Sequence, residues 1–121
     1  MARRDLRAGR TRSDLEDDFL EFCSRRGLPL PETNVTMTVR GVRVEPDCLW
    51  RAERVILELD GYQGHGGKTA FEAERARDRV LAAAGWLPTR ATWAQVHFDG
   101  DALESELRDL LTARRLSRGA A

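Results

Sequence analysis

The residues of this sequence best able to do chemistry are three carboxylates, Asp47, Glu58 and Asp60. Glu58 and Asp60 lie two apart in Val55 to Asp60, a β-rich apolar stretch, so as a strand they share a face. Asp47 belongs to an earlier stretch, Val42 to Trp50, and the polar segment Arg51 to Arg54 separates the two. A connecting loop with an even number of residues sets Asp47 opposite Glu58, whereas an odd number turns them to opposite faces. Three carboxylates on one face repel one another in low dielectric unless a cation or a shared proton relieves them. Oxygen ligands at this density suit Mg²⁺ or Mn²⁺, which keep several waters and accept phosphate oxygens. A divalent ion there could activate water and stabilise a pentavalent phosphate. The alternative is the solvated polar side of a two-layer sheet, its acids paired to Arg51, Arg54, Arg75 or Arg77. The apolar surroundings of Glu58 and the glycine-rich segment Gly61 to Lys68 favour a site.

The elements that must position these residues follow from periodicity. Ser13-Asp14-Leu15-Glu16 has the form of a capping box, and Leu15, Phe19, Phe22 and Cys23 recur at helical spacing until Gly27. Asn34 to Val39 alternates as a strand does, Arg40-Gly41 suits a turn, and Val42 to Trp50 reads as a second strand. Val55 to Asp60 is the central strand. Thr69-Ala70-Phe71-Glu72 forms another capping box and opens a helix to about Ala84, with Gly85 as its stop. Leu87 to Thr92 reads as a short strand, and Pro88 within it indicates either a sheet edge or a later start of the strand. Asp101-Ala102-Leu103-Glu104 caps a last helix with the stripe Leu103, Leu107, Leu110 and Leu111. The resulting order, α-β-β-β-α-β plus a C-terminal helix, implies an α/β fold with a mixed sheet flanked by helices.

Composition bounds the function classes. A chain of 121 residues, 41% hydrophobic and 33% charged, fits one folded domain. No apolar run approaches ~18 residues, and no apolar block follows the basic start, which argues against a spanning helix and a secretory signal. Twenty basic residues balance twenty acidic ones, so the totals do not indicate a strongly basic nucleic-acid binder. The distribution is uneven. Arg3, Arg4, Arg7, Arg10 and Arg12 form a basic arm (1–12), Arg114, Arg115 and Arg118 a basic tail (114–121), and the domain is expected over 13–113. These are either solvated charges or phosphate-holding ends beside an acidic centre. Cys23 and Cys48 fit no metal spacing and read as buried thiols of a cytoplasmic protein. Trp50, Trp86 and Trp93 read as packing residues rather than base-stacking platforms.

Pro46-Asp47, ten intervening residues and Glu58-x-Asp60-Gly61 resemble the PD-(D/E)XK nuclease pattern. A longer match is more specific. Ser13-Asp14-Leu15-Glu16, Val44-x-x-Asp47-x-x-Trp50, Leu57-Glu58-Leu59-Asp60-Gly61-Tyr62 and His65 resemble the domain of unknown function 559 family. So do Phe71-Glu72-x-x-Arg75-x-Arg77-Asp78, Gly85-Trp86 and Arg90-x-Thr92-Trp93. That family is similar to the very-short-patch mismatch repair endonucleases, and the likeness spans roughly residues 13 to 111. It implies a restriction-endonuclease-like core and metal-dependent hydrolysis of DNA phosphodiesters, with Mg²⁺ or Mn²⁺ as cofactor. Asp47 and Glu58 would be the metal ligands, and Glu16 would sit near the metal. Asp60 would stand where the clan has lysine, which leaves the general base unnamed. His65 would assist at the scissile phosphate. Arg75 and Arg77 could contact the phosphate, with Lys68 and Arg12 as further nucleic-acid contacts. Enzymes that cut both strands often dimerise, so a homodimer is compatible with this reading.

Each of these residues also has a plainer role. Glu16 completes a helix cap, His65 sits in a glycine-rich turn, and Arg75 and Arg77 are helix charges near Asp78. Gly67-Lys68-Thr69 looks like the end of a phosphate-binding loop, but the required first glycine falls on Tyr62, so no nucleotide cofactor is expected. Two functions from different classes remain: a metal-dependent DNA endonuclease, or a catalytically silent nucleic-acid or protein-interaction module of a larger defence or toxin system on the same fold.

Overall fold

A computed structural model describes residues 12–61 and 67–119 of the chain. Helix α1 (Arg12–Arg26) is followed by strands β1 (Met37–Val39), β2 (Val42–Val44), β3 (Cys48–Trp50) and β4 (Val55–Asp60). Helix α2 (Gly67–Ala83), strand β5 (Leu87–Thr92), and helices α3 (Trp93–Phe98) and α4 (Gly100–Gly119) complete it. The strands form a β1-β2 hairpin and a three-stranded sheet in the order β3-β4-β5. β3 runs antiparallel to β4, and β5 runs parallel to it. This is an α/β fold with a mixed sheet flanked by helices, as expected. Among the described residues, no helix is long and apolar enough to cross a membrane.

Both faces of the sheet are covered. On one, Val55, Leu57 and Leu59 of β4 pack with Phe19, Phe22 and Cys23 of α1 and Leu103, Leu107 and Leu111 of α4. On the other, Leu49 and Ile56 pack with Leu81 of α2 and with Val39 and Val44 of the hairpin. Full burial of side chains such as Phe19, Leu57 and Ile56 is worth roughly 1.5–3 kcal/mol each. The thiols of Cys23 and Cys48 are free and buried. Burial pushes Cys23 up to about 12 and, with the neighbouring Asp47 charge, raises Cys48 as well. Neither thiol has the thiolate character that reactivity needs.

Several element boundaries differ from those expected. Val42 to Trp50 is two strands rather than one, each in a different sheet, because Glu45-Pro46-Asp47 interrupts the ladder. Pro46 has no N–H to donate, and the Asp47 side chain takes a backbone N–H of β4 instead. The first strand is shorter than Asn34 to Val39, starting at Met37. Helix α2 begins at Gly67, so Thr69 lies inside it rather than at its cap. Helix α3 was not expected. Thr92 caps it, its hydroxyl accepting from Gln95 N at 3.1 Å while Gln95 Oε1 accepts from Thr92 N at 2.9 Å. Helix α4 runs to Gly119, so Arg114, Arg115 and Arg118 are helical rather than a tail. Arg114 donates to the Glu53 and Gly85 carbonyls, Arg118 donates to the Ala52 carbonyl, and Arg115 pairs with Glu53. Gly27 and Gly85 close α1 and α2 with φ of 73° and 93°, as expected. Arg40 and Gly41, at φ 51° and 79°, make the primed turn that a tight hairpin needs.

Candidate functional site

The turn between β3 and β4 holds four residues, Arg51 to Arg54, and Cys48 pairs with Leu57 across it. The next step of that register sets Asp47 across from Glu58, as the even loop required. Alternation carries Asp47 and Leu49, and Ile56, Glu58 and Asp60, to the face that α2 covers. On α2, Glu74, Arg77, Asp78 and Leu81 recur at helical spacing. Leu81 enters the apolar core, and Glu74 and Arg77 lie over the carboxylates. The interface between α2 and the sheet is therefore apolar at one end and ionic at the other.

The ionic end is an open cleft of about 470 Å³ lined by Arg43, Glu45, Asp47, Glu58, Leu59, Asp60, Glu74, Arg77 and Arg90. Asp47 and Glu58 form its floor and are 4% and 9% exposed. Asp47 Oδ2 accepts the Leu59 N–H at 2.7 Å, which pins the side chain to β4. Glu58 Oε2 accepts from Arg77 Nη2 at 2.6 Å. The carboxyls of Glu58 and Asp47 are within hydrogen-bonding reach of each other. Burial pushes Glu58 above the usual carboxylate range and the Asp47 charge adds to this, against the opposing pull of Arg77. Asp60, at the mouth of the cleft, is also raised, by burial first, while Arg90 acts against it. Arg90 Nη1 stands 3.7 Å from Asp60 and 3.6 Å from Glu74, and its Nη2 3.5 Å from Asp78.

A second cleft, of about 500 Å³, lies between α1 and the α3–α4 corner. Several of its polar groups are engaged: His97 Nε2 meets Asp18 at 3.2 Å, and Arg26 bonds Asp101 and the nearby Glu104. The cleft under α2 is the better candidate because two buried carboxyls, Asp47 and Glu58, converge there and Glu58 is raised above the usual carboxylate range.

The site thus gathers Asp47, Glu58, Asp60 and Arg77 from the expected set. Glu16 lines a neighbouring cleft with Ser13, Asn34, Val35, Thr36 and Pro46, and Glu45 borders both. Arg75 turns to Asp78 at 3.1 Å and to the Phe71 ring at 5.1 Å, away from the carboxylate floor. Lys68 is exposed in the first turn of α2 and does not line the cleft. His65 and the side chain of Arg12 lie outside the described residues. Arg43, Glu45, Glu74 and Arg90 had no role assigned from the sequence. Arg90 pairs directly with Glu58 across the parallel ladder, a register that no local pattern reveals. Glu74 could have been found from its spacing to Leu81.

The donor set fits one class of cation. Among the described residues, no group of three or more His, Cys, Asp or Glu side chains is placed to hold a metal. Two adjacent buried carboxylates do suit Mg²⁺ or Mn²⁺, which are usually bound by one or two carboxylates with water and substrate phosphate completing the shell. No family model, no curated protein and no solved structure matches the chain.

Proposed function

We propose that the chain is a metal-dependent DNA endonuclease domain with a restriction-endonuclease-like core, akin to the domain of unknown function 559 family. The observation that carries this reading is the juxtaposition of Asp47 and Glu58, buried side by side in an open cleft beneath α2. Asp47 and Glu58 would hold Mg²⁺ or Mn²⁺, which when bound supplies positive charge at the scissile phosphate and acidifies water. The Leu59 N–H donates to Asp47 Oδ2, which helps hold one proposed ligand in its orientation. Arg77 and Arg90 border the same cleft and can neutralise a phosphodiester, a task suited to the guanidinium fork. Asp60, at the cleft mouth and raised above an ordinary aspartate, is placed to accept or return a proton there.

A silent interaction module is the second reading. Arg77 already occupies Glu58 Oε2, and an aspartate stands where the nuclease pattern has lysine. The test is incubation with supercoiled plasmid and with single-stranded DNA in Mg²⁺, Mn²⁺ or EDTA, beside the Asp47→Asn/Glu58→Gln double variant. Cutting that needs metal and disappears in the variant supports the nuclease and its ligands. Cutting that persists in the variant overturns the assigned site. No cutting of either substrate moves the conclusion to the interaction module.

A further inference from the structure

We propose that Arg77 is a clamp on Glu58 that exchanges this carboxylate for a substrate phosphate, so that tight binding of a divalent cation requires a phosphodiester. This regulation of the site rests on the nuclease reading above. Three arginines line the cleft, and they are committed differently. Arg43 Nη2 holds Glu45 at 2.7 Å in an exposed pair. Arg90 spreads over Asp60, Glu74 and Asp78 at 3.5 to 3.7 Å. Arg77 alone among these three binds one of the two proposed ligands, at 2.6 Å, with side chains only 27% and 12% exposed.

A cation arriving at Glu58 meets a guanidinium already on that carboxylate. Like charges in partly buried surroundings repel strongly, so the two do not share Glu58 comfortably. Nor can Arg77 simply leave, because a partly buried guanidinium without an acceptor is costly. Its Nε is buried and finds no acceptor among the described residues, so the fork is already under-satisfied. A phosphodiester oxygen pair is the acceptor that a guanidinium fork matches best. Transfer of Arg77 from Glu58 to phosphate frees the carboxylate and satisfies the fork together. Such coupling is reciprocal, so phosphodiester tightens the cation as much as the cation tightens phosphodiester.

The test is Mn²⁺ binding, measured by calorimetry or by the paramagnetic resonance of free Mn²⁺, on the full chain. The wild type, Arg77→Gln, Arg90→Gln and Asp47→Asn are compared without nucleic acid and with a short phosphorothioate duplex. Without duplex, Arg77→Gln should bind Mn²⁺ about tenfold tighter than wild type, the scale of one charge-assisted hydrogen bond. The tightening that duplex confers on wild type should shrink by a similar factor in that variant. Arg90→Gln removes the same charge from the same cleft and should change Mn²⁺ affinity far less. A gain in affinity is not an effect that misfolding produces. Equal Mn²⁺ affinity in wild type and Arg77→Gln overturns the clamp while leaving the metal site standing. An equal gain in Arg90→Gln and Arg77→Gln also overturns it, since bulk charge then accounts for the effect. If no form shows Mn²⁺ binding that Asp47→Asn removes, the metal site itself fails, and the clamp with it.

Discussion

Asp47 performs two separable tasks, and two substitutions at that position divide them. Its Oδ2 accepts the Leu59 N–H at 2.7 Å in a buried setting, a structural task. Its negative charge beside Glu58 is what the proposed metal site would use. Asp47→Asn keeps an acceptor oxygen for Leu59 and removes the charge. Asp47→Ala removes both. The relief of Glu58 is common to the two variants, so their difference isolates the orphaned N–H, a cost of about 1–3 kcal/mol for a buried donor. Water entering from the open cleft would recover part of it and sets the lower end near 1 kcal/mol. For a domain of this length, about 4 °C of melting temperature corresponds to 1 kcal/mol. Asp47→Ala should therefore melt about 4–12 °C below Asp47→Asn at pH 7 in EDTA, followed by circular dichroism. Both variants should lose any stabilisation that Mn²⁺ gives wild type. Equal melting temperatures in EDTA would refute the anchoring of Asp47 by β4, and with it the explanation for the break between β2 and β3.

Two further outcomes follow from the same geometry. Glu58 is raised in the fold, so its contribution to stability is present below the ordinary glutamate range and is lost as pH rises through the raised value. In EDTA, Glu58→Gln should therefore gain stability relative to wild type between about pH 4 and pH 7, read by urea denaturation; a gap that narrows with rising pH would show that Arg77, not burial, dominates at Glu58. Thr92→Ala removes the hydroxyl that caps α3 and should cost about 1 kcal/mol in the same assay, with Thr92→Ser close to wild type.

The parts of the fold legible in the sequence are those whose signal is local. α1 and its stop at Gly27, the central strand β4, and the Asp47–Glu58 register all follow from spacing over a few residues. The register was legible because the Arg51 to Arg54 turn has an even count, which fixes facing without knowledge of the rest of the fold. The capping box of α3 was also present, as Thr92-Trp93-Ala94-Gln95, but it overlaps the end of β5, and strand alternation masked it. Other features were decided by tertiary structure. α4 continues past the Leu111 stripe because Arg114, Arg115 and Arg118 reach back to the 52–54 turn and Gly85. Glu16 lines the neighbouring cleft, a placement that a helix-cap pattern does not specify.

The site depends on a division within one interface. At its apolar end, Leu81 of α2 packs with Leu49 and Ile56 of the sheet and Val44 of the hairpin, and this end supplies the burial that holds the helix in place. At its other end, five carboxylates face three guanidiniums across the cleft, an arrangement that costs stability where a carboxylate such as Glu58 is held above its usual range. Buried ion pairs of this kind are commonly replaceable by apolar pairs without loss of stability. Their presence beside a well-packed apolar half is hard to explain as a device for folding. It accords with a site in which the packed end fixes positions and the charged end carries out chemistry. Loosening the packed end should therefore disturb the site before it unfolds the chain, because Arg77 and Leu81 lie one helical turn apart on the same face of α2.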